Sequence, residues 1–451
     1  MSAHDAIARW HELLDADDGL AQETEAALTA QLERRGLVFG GRPLATVLRP
    51  RLVGAQQCAR ILETADAILP AMARSLAAAL ADPAVRADFR LAEWEERFVA
   101  LDLAYPSSPT SRLDFFLDDD AGGAALTENN AETPAGAAYN DALVAAFADL
   151  PVTRAIARDW RLDPVLTRHG VVRGLLGAWH AWRGTREVPH VGIVDWKEVP
   201  TYSEFVLWRE HLLSLGIPCD IVDPRDAEYD GTRLRFGGVP VTLLYKRVLL
   251  HELVARGGVD HPIFRAVRDG AVCIVNPPRC KLLHKKASLA VLSDERHAHL
   301  YTHGQQAAIR ACIPWTRVVE ARRTVVDGRE VDLLAHVRDH RARYVLKPND
   351  DYGGAGIVLG WTVDAGAWEA ALGRALESPY IVQERVAIPS QGYPSLVDGR
   401  AQVIERMYDT APFVTDGLTT DGFMTRLSTA ALLNVTAGGG STVPAFVVTP
   451  R

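Results

Sequence analysis

Cysteine is scarce in this sequence, and no two cysteines are spaced as a pair. Five occur in 451 residues, at Cys58, Cys219, Cys273, Cys280 and Cys312, and none belongs to a Cys-x-x-Cys motif. Their odd number and mostly apolar surroundings are not typical of a disulfide framework. The pattern predicts reduced, buried thiols in a cytoplasmic protein.

Long apolar runs and a surplus of positive charge are also missing. No stretch approaches the ~20 apolar residues that span a bilayer, and the first residues lack the basic and then apolar layout of a signal peptide. Lysine and arginine total 49 against 57 aspartates and glutamates, so the net charge is −8. This balance argues against general binding to nucleic acid or to anionic membranes. We therefore expect a soluble, cytoplasmic protein without nucleic-acid or membrane partners.

The composition is otherwise that of a globular protein with room for two or three domains. Apolar residues at helical spacing predict a mostly helical region at the start of the chain, with a helix over residues 59–83 interrupted at Pro70. Near residue 110 the pattern changes to two short strands around an acidic, glycine-rich turn at residues 118–123. From about residue 187 a strand, an amphipathic helix and a second strand predict a β-α-β unit with parallel strands. Strands and helices then alternate to residue 451.

The stretch YVLKPNDDYGGAGIVLG, residues 344–360, places a lysine at the end of an apolar run and three glycines just after it. Lys347 at the end of a buried strand is costly unless its charge is met, and phosphate is a natural partner. Gly353, Gly354 and Gly356 would let the backbone approach an anion and offer it N–H donors. No Gly-Lys-Ser or Gly-Lys-Thr follows, so this is not a Walker A loop, and the second apolar run predicts that the loop joins two strands. A plain hairpin turn with an exposed lysine is the alternative.

Two other segments carry polar groups at the ends of predicted elements. Gln383 and Glu384 end the strand in SPYIVQERV, where they can face an adenine and its ribose, although strands leaving a core often end in charged residues. Lys285 and Lys286 begin an amphipathic helix, where their charge opposes the helix dipole and a bound anion would offset the cost. A solvated helix start is the alternative for these lysines.

The strongest polar pattern is Arg112 and Asp114 on one predicted strand and Glu128 and Asn130 on the next. Side chains two residues apart share one face of a strand, so pairing of the strands would bring three oxygen ligands and one guanidinium together. Carboxylate and amide oxygens suit Mg²⁺, and an arginine beside them suits a phosphoryl oxygen. A salt-bridge ladder across a surface hairpin is the alternative.

Together these motifs resemble those of ATP-grasp enzymes, in the order found in the circularly permuted members. RLD…ENN comes first, followed by HKKASLAVLSDE, LKPNDDYGGAG and VQERV, so the resemblance runs from about residue 105 to the end. The permuted group contains glutathionylspermidine synthetase and a branch of uncharacterised bacterial proteins. Neither a cysteine amidase segment nor a thiol-peptide or polyamine pocket can be matched, so neither glutathione nor spermidine is implied.

The resemblance implies an α+β or α/β fold, namely a circularly permuted ATP-grasp fold with a preceding α/β domain of the pre-ATP-grasp type and an N-terminal helical layer. The expected parts are a mostly helical region (1–104), the metal-binding part of the grasp fold (105–186), the α/β substrate domain (187–280) and the nucleotide-binding part (281–451).

The resemblance also implies roles for single residues and the cofactors ATP and Mg²⁺, with two metal ions expected. The metal ligands would be Asp114, Glu128 and Asn130. The expected catalytic residues are Arg112 at the γ-phosphate or acyl phosphate, Lys286 and Lys347 at the ATP phosphates, and Arg426 at the acyl site. The expected nucleotide contacts are Gly353, Gly354 and Gly356 in a flap, and Gln383 and Glu384 at the adenine and ribose.

The implied reaction is ATP-dependent ligation of a small carboxylate and an amine, amino-acid-like or peptide-like, through an acyl phosphate. A phosphotransferase on the same fold and a non-catalytic nucleotide or metabolite binder are the alternatives. On the substrate side, the loop of Gly438, Gly439 and Gly440 would help Arg426 to shape the acyl site, although Arg426 is equally consistent with a structural ion pair.

Three other features have both a functional and a structural interpretation. Arg247 and Arg279 end strands of the α/β region, where open parallel sheets bind ligands. His299 and His303 have the spacing of a zinc pair on a helix, but the helical pattern breaks between them and a solvated helix end is favoured.

Overall fold

Helices make up most of the first hundred residues of the computed structural model, which describes residues 2–118, 122–351, 353–430 and 440–451. The predicted break at Pro70 is wrong, because the third helix runs through this exposed proline. Its buried face, including Ile68 and Met72, contributes about 1.5–3 kcal/mol per side chain, which outweighs the cost of about 3 kcal/mol for one internal proline. The elements are α1 (Ala3–Asp15), α2 (Asp18–Arg34), β1 (Val38–Phe39), β2 (Arg42–Pro43), β3 (Arg51–Val53), α3 (Ala55–Ala81), α4 (Pro83–Ala87) and α5 (Glu93–Val99).

The two strands predicted near residue 110 form an antiparallel hairpin. β4 (Thr110–Leu117) pairs with β5 (Ala124–Asn130) in a register that sets Arg112 opposite Asn130 and Asp114 opposite Glu128. Part of the predicted turn, residues 119–121, lies outside the described residues. The elements that follow are α6 (Ala137–Ala148), α7 (Pro151–Ile156), β6 (Trp160–Pro164) and α8 (Arg168–Arg183).

A four-stranded parallel sheet follows, and it begins with the predicted β-α-β unit. β7 (Val191–Val194) and β8 (Cys219–Val222) are parallel and are joined by α9 (Tyr202–Ser214). The remaining elements are β9 (Ala227–Tyr229), β10 (Leu234–Phe236), β11 (Val239–Pro240), β12 (Leu243–Lys246), α10 (Leu250–Gly257), α11 (Pro262–Arg268) and β13 (Cys273–Val275). The strand order β13–β12–β7–β8 places polar residues at the carboxyl ends of the two central strands, where ligands bind in open sheets of this kind.

The last third of the chain contains the loop of residues 349–357, which follows Lys347 and which we call the lysine–glycine loop. As predicted, the loop joins two strands, and these pair antiparallel. The elements before the loop are α12 (Lys281–His284), α13 (Ala287–Ser293), α14 (His303–Cys312), β14 (Thr316–Val318), β15 (Arg323–Val326), β16 (Arg329–Asp332), α15 (Leu333–Asp339) and β17 (Tyr344–Pro348). Those after it are β18 (Val358–Leu359), α16 (Ala365–Glu377), β19 (Tyr380–Glu384), β20 (Ser390–Val397), β21 (Arg400–Thr415), β22 (Thr419–Ser428), β23 (Ser441–Val443) and β24 (Ala445–Pro450).

Strands from distant parts of the chain join in one six-stranded sheet. Its order is β23–β22–β21–β4–β5, with β20 also paired to β21, so the β4–β5 hairpin lies beside strands that come almost 300 residues later. The first and last segments also share a core, in which Trp10 and Leu28 pack with Tyr393 and Phe446. Both ends of the chain therefore pack in one core, on the face of the sheet opposite to Asp409 and Arg426.

Two further expectations from the sequence concern the cysteines and membrane-spanning helices. The five cysteines are free thiols, four buried and one half-buried. Across the described ranges, no helix has both the length and the apolar character that crossing a bilayer requires.

Candidate active site

A cleft lies between the six-stranded sheet and the antiparallel sheet of β14, β19, β17 and β18. We call it the polar cleft; it encloses about 950 Å³ including its open mouth. Part of its wall is apolar, formed by Val345, Ile357, Leu359, Trp361 and Ile388. Nine of the twelve site residues predicted from the sequence line it: Asp114, Glu128, Lys286, Lys347, Gly353, Gly354, Gln383, Glu384 and Arg426.

Asp114 is held by three side chains at once. Arg112 donates to both of its carboxylate oxygens, at 2.8 and 2.9 Å, while Arg426 Nη2 and Asn130 Nδ2 reach Oδ2 at 2.7 and 2.9 Å. Burial alone would raise the pKa of Asp114, but the two guanidiniums outweigh it and lower the pKa to about 2. Since Asp114 is 3% exposed, this is a buried polar group rather than a surface ladder.

Two lysines from the last third of the chain contact the β5 strand. Lys286 Nζ lies 2.8 Å from Glu128 Oε1 and donates to the Asp351 carbonyl at 2.7 Å. Lys347 Nζ donates to the Thr127 carbonyl at 3.2 Å and to Gln383 Oε1 at 2.7 Å. Neither lysine is solvated in the way that the alternative interpretations require, because Lys286 is 5% exposed and Lys347 is half-buried.

The surroundings of Lys347 disfavour the charged form of its side chain. Burial lowers its pKa to about 8, against the opposing attraction of Glu128, and nearby Lys286 adds to the lowering. Its nearest partners, a carbonyl and an amide oxygen, are neutral. An anion in the cleft would supply the charge that Lys347 lacks.

The three glycines after Lys347 all adopt left-handed backbone angles, with φ of 66°, 79° and 69° for Gly353, Gly354 and Gly356. Other residues rarely adopt this conformation. Gly353 and Gly354 line the polar cleft, whereas Gly356 packs on Pro348, where a Cβ would come 2.6 Å from the proline Cγ. The loop therefore needs its glycines both for its path and for close packing.

Gln383 and Glu384 end β19 as predicted and have partners within the protein. Gln383 accepts from Lys347 and donates to Thr316 Oγ1 at 3.0 Å, so it orients the lysine. Glu384 accepts from Arg343 Nε at 2.9 Å. Both side chains line the cleft, and their predicted contacts with an adenine and ribose stay predictions.

Arg426 has a partner that sequence reasoning missed. Its Nε donates to Asp409 Oδ2 at 2.8 Å, and its backbone N–H donates to Asp409 Oδ1 at 3.0 Å. Burial raises the pKa of Asp409 in spite of Arg426, and nearby Asp114 adds to the rise. The available signal was a lone acid inside the apolar run MYDTAPFV. Arg426 is thus both an ion-paired residue and a cleft residue. Of the glycines predicted to act with it, Gly438 and Gly439 lie outside the described residues.

A second cavity, which we call the side cavity, adjoins the same polar group. Arg112 and Asn130 line it, together with Asp195, Arg247 and Glu252. The carboxylate of Asp195 accepts the N–H of Trp196 at 2.8 Å, and burial raises its pKa to about 6. The Arg112–Asp114–Asn130 group therefore separates two cavities.

The two arginines at strand ends have different surroundings. Arg247 is 5% exposed and binds Glu204 at 3.0 Å and the Tyr245 hydroxyl at 3.1 Å at the edge of the side cavity. Arg279 donates to the Val99 carbonyl at 3.0 Å, which ties it to the helical region at the start of the chain.

A buried ion network behind the loop was also missed. Lys281 Nζ lies 2.5 Å from Glu132 Oε2 and 2.8 Å from Asp350 Oδ1, and Lys285 Nζ lies 2.9 Å from Glu95 Oε2. Glu132, Asp350 and His284 are close enough to suggest a metal site, but the ammonium of Lys281 already provides the cation among them. We therefore assign this cluster a structural role.

The predicted zinc pair does not form on a helix. His303 begins α14, whereas His299 lies in the preceding 3₁₀ turn and contacts the Arg296 carbonyl at 3.0 Å. This agrees with the helix-end interpretation.

The oxygen donors between the polar cleft and the side cavity fit a magnesium ion. The Glu128 carboxylate is 26% exposed, and Asn130 points its nitrogen to Asp114, which leaves its amide oxygen available. Carboxylate and amide oxygens are the ligands that Mg²⁺ takes. Asp114, Glu128 and Asn130 would hold such an ion once Lys286 or Arg426 turned away.

The sequence matches no protein-family profile and no curated protein at a significant level. Solved structures show similarity to the chain to different extents. A glutathione synthetase-like effector from Globodera pallida is 13% identical, with 96% of this chain and 98% of that chain covered and a TM-score of 0.61. A putative gamma-glutamylcysteine synthetase from Methylobacillus flagellatus has 11% identity, coverage of 88% and 89%, and a TM-score of 0.44. An ATP-grasp RimK domain protein from Sphaerobacter thermophilus has 15% identity, coverage of 57% and 90%, and a TM-score of 0.27. The chain thus shares the fold of the glutathione synthetase-like protein over nearly its whole length, and this fold is mixed α/β.

Proposed function

We propose that this protein is an ATP-dependent ligase that joins a carboxylate to an amine through an acyl phosphate and releases ADP and phosphate. The observation that carries the proposal is the meeting of Lys286 and Lys347 with the carboxylates of the β4–β5 hairpin in one cleft. These groups come from distant segments, and the fold shared with a glutathione synthetase-like protein is consistent with this use of the cleft.

ATP would lie along the polar cleft. The apolar wall suits an adenine ring, with Gln383 and Glu384 at its edge, while Lys286, Lys347 and the N–H groups near Gly353 face the phosphates. The lowered pKa of Lys347 fits this role, since a bound phosphate would restore its charge.

Asp114, Glu128 and Asn130 would hold Mg²⁺, which neutralises charge on the transferring phosphoryl group when bound. In the protein alone, Arg426 and Lys286 balance these carboxylates. Ligand binding would therefore be an exchange, in which the cationic side chains move from carboxylates to phosphate oxygens. Such an exchange keeps the charges of the cleft balanced in both states.

The carboxylate and amine substrates would occupy the side cavity. Arg112 lies at the boundary of this cavity with the polar cleft, where it can bind the reacting carboxylate or the acyl phosphate. An oxygen of the carboxylate attacks the γ-phosphorus, and the bond from that phosphorus to the ADP oxygen breaks. The amine nitrogen then attacks the acyl carbon, phosphate leaves with the bonding electrons, and the nitrogen loses its proton.

The order of the motifs supports a circularly permuted ATP-grasp arrangement as part of the proposal. In it, residues 105–186 supply the metal ligands, residues 187–280 the substrate domain and residues 281–451 the nucleotide site, behind the helical region at 1–104. The pairing of β4 with β21 supports this division. Through it β4 and β5, which carry the expected metal ligands, complete a sheet whose other members come from the end of the chain. Under this proposal the permuted bacterial proteins and glutathionylspermidine synthetase would share its architecture.

The test follows the oxygen atoms of the carboxylic acid into the products of the reaction. A mixture of ¹⁸O-labelled carboxylic acids is incubated with protein, Mg-ATP and hydroxylamine, which traps acyl phosphates as hydroxamates. Ligation through an acyl phosphate predicts hydroxamate together with ¹⁸O in the released phosphate. ADP release with the label retained in a phosphorylated acid, and no hydroxamate, would show a phosphotransferase instead.

A further inference from the structure

The side cavity has a carboxylate at the edge of the parallel sheet. Asp195 directly follows β7 and Arg247 directly follows β12, and the register pairs the last residues of these two strands. The two residues therefore lie side by side at the carboxyl ends of the central strands. Both line the side cavity, together with Arg112. In open parallel sheets this edge is where ligands bind.

One oxygen of the Asp195 carboxylate has no partner. Asp195 is 8% exposed, and its Oδ1 accepts the N–H of Trp196 at 2.8 Å. Its Oδ2 has no hydrogen-bond partner among the described residues, yet it is not sealed inside the protein, so it faces the space of the side cavity. Buried carboxylate oxygens are nearly always hydrogen-bonded, so Oδ2 indicates a group that a ligand would satisfy.

The other charges of the side cavity determine the sign of that ligand. Both arginines of the lining are bound to buried carboxylates, Arg112 to Asp114 and Arg247 to Glu204. Asp195 forms no ion pair with the described residues, and Glu252 adds a second carboxylate to the same lining. A cation would therefore be attracted to this part of the cavity.

Asp195 is also better suited to accept a proton than the histidine of the lining. Burial raises the pKa of Asp195 to about 6, and nearby Glu252 adds to the rise. The groups that oppose the rise are the Trp196 N–H, Arg247 and Lys246. Burial lowers the pKa of His284 to about 4, and its Nδ1 is enclosed by protein. Asp195 is thus ionised at neutral pH and is the stronger base.

We propose that Asp195 binds the protonated amine substrate and accepts the proton that the amine must lose before it attacks. This role rests on the ligase function proposed above, and Glu252 supplies the second negative charge of the subsite. A protonated amine has no lone pair. Transfer of one proton to Asp195 Oδ2 leaves the bonding electrons on the nitrogen, which forms the bond to the acyl carbon as phosphate leaves. The phosphate takes the second proton, and Asp195 then releases its own to water.

Two nucleophiles of different charge test the proposal. Protein is incubated at pH 7.5 with Mg-ATP, the same mixture of carboxylic acids and either hydroxylamine or butylamine with ammonium chloride. Hydroxylamine is mostly uncharged at this pH and needs no base, whereas an alkylamine, like a lysine side chain, is almost fully protonated. The native protein should form both hydroxamates and amides.

Asp195→Asn keeps an acceptor for the Trp196 N–H and should fold. It should form hydroxamates within about twofold of the native rate but amides about 100-fold more slowly, which is a usual contribution of a general base. Raising the pH to 9.5 should restore part of its amide formation, because free amine is then present. Glu228→Gln, which removes an exposed carboxylate of β9, is the control and should leave both products unchanged.

The two products separate this proposal from the ligase function on which it rests. If the native protein forms no hydroxamate, the ligase function is wrong and the role of Asp195 falls with it. If the native protein forms hydroxamates but no amide, the side cavity does not accept a protonated amine. If Asp195→Asn loses both products equally, or forms amides at the native rate, Asp195 is not the proton acceptor.

Discussion

The ammonium of Lys286 lies 2.8 Å from the carboxylate of Glu128, although the two residues belong to different halves of the chain. Lys286 caps the start of α13, and its backbone N–H donates to the Asn349 carbonyl at 2.9 Å, which ties it to the strand that carries Lys347. Glu128 lies on β5 beside Thr127, whose carbonyl accepts from Lys347. The ion pair therefore joins the hairpin to the lysine–glycine loop.

This ion pair should be measurable as a coupling between two substitutions. We expect Glu128→Gln and Lys286→Met each to destabilise the protein, because each leaves a mostly buried charge without its partner. The double variant should recover about 1–3 kcal/mol of the summed loss, measured by denaturant unfolding. Additive losses would show that the two side chains do not stabilise each other.

Mg-ATP binding should take up a proton near Lys347. The folded pKa of about 8 lies below that of a free lysine, so part of the population is neutral at pH 8.5, and a phosphate at this position would favour the charged form. Calorimetric titration at pH 8.5 in buffers of different ionisation enthalpy should show net uptake, and affinity should fall as pH rises above 8. Lys347→Arg, which stays charged, should abolish the uptake; uptake unchanged in this variant would contradict the assignment.

Lys347 should also make the free energy of unfolding depend on pH. Because its pKa is lowered on folding, the unfolded chain binds more protons between pH 8 and about 10.4. The contribution of Lys347 to the free energy of unfolding should therefore rise with pH across that window. A comparison of native protein with Lys347→Met at pH 7.5 and pH 9.5 measures it, and a difference that stays constant between the two pH values would contradict the lowered pKa.

Glu132 should be among the most sensitive positions for stability. Its carboxylate is fully buried, contacts Lys281 and accepts the N–H of Leu250 at 2.6 Å, with Lys246 Nζ 3.6 Å away. Glu132→Gln leaves two buried ammonium groups undercompensated and should lower the free energy of unfolding by about 3–5 kcal/mol. Glu228→Gln, at an exposed site on β9, should stay within about 0.5 kcal/mol. Equal effects of the two substitutions would remove the argument for a structural network.

The pH dependence of this network follows from the same contacts. Burial opposes ionisation of Glu132, but Lys281 and Lys246 outweigh it and lower its pKa. Its stabilising contribution is therefore present above the unfolded pKa of about 4.3 and is lost as the pH falls below it. The gap in stability between native protein and Glu132→Gln should narrow in acid, and a gap that widened would contradict the assigned ionisation.

Two glycines offer a matched test of the loop. Gly356→Ala must place a Cβ 2.6 Å from Pro348 at a φ of 69°, so we expect it to destabilise the loop and to weaken Mg-ATP binding at least tenfold. Gly373→Ala lies inside α16 with nothing within 4 Å, and it should instead stabilise the protein by about 0.5–1 kcal/mol. Calorimetry and thermal unfolding on both variants measure these effects, and opposite signs of the stability change are the expected result.

Local patterns allowed part of this site to be predicted from the sequence. Alternation along two strands was enough to place Arg112, Asp114, Glu128 and Asn130 together, because hairpin pairing depends on neighbouring residues. The glycines after Lys347 were recognisable because only a loop with left-handed residues requires them.

The remaining groups depend on contacts that no local pattern contains. Asp409 lies opposite Arg426 because β21 pairs with β22, but both come near Asp114 only because β21 also pairs with β4. Lys281 meets Glu132 and Asp350 only when three segments pack. The break predicted at Pro70 failed for a related reason, since the burial of α3 outweighs the local preference of proline.

The central claim is that the β4–β5 hairpin and the lysine–glycine loop form one Mg-ATP site. It is tested most directly by thermal unfolding with and without Mg-ATP for the native protein, Lys347→Ala, and Glu128→Gln combined with Asn130→Ala, with Glu228→Gln as control. Ligand at ~100 Kd should stabilise the native protein and the control by about 2.7 kcal/mol. Both site variants should fold and lose most of that gain. If the native midpoint does not move, or if the hairpin variant responds as the native protein does, the two segments do not form one nucleotide site.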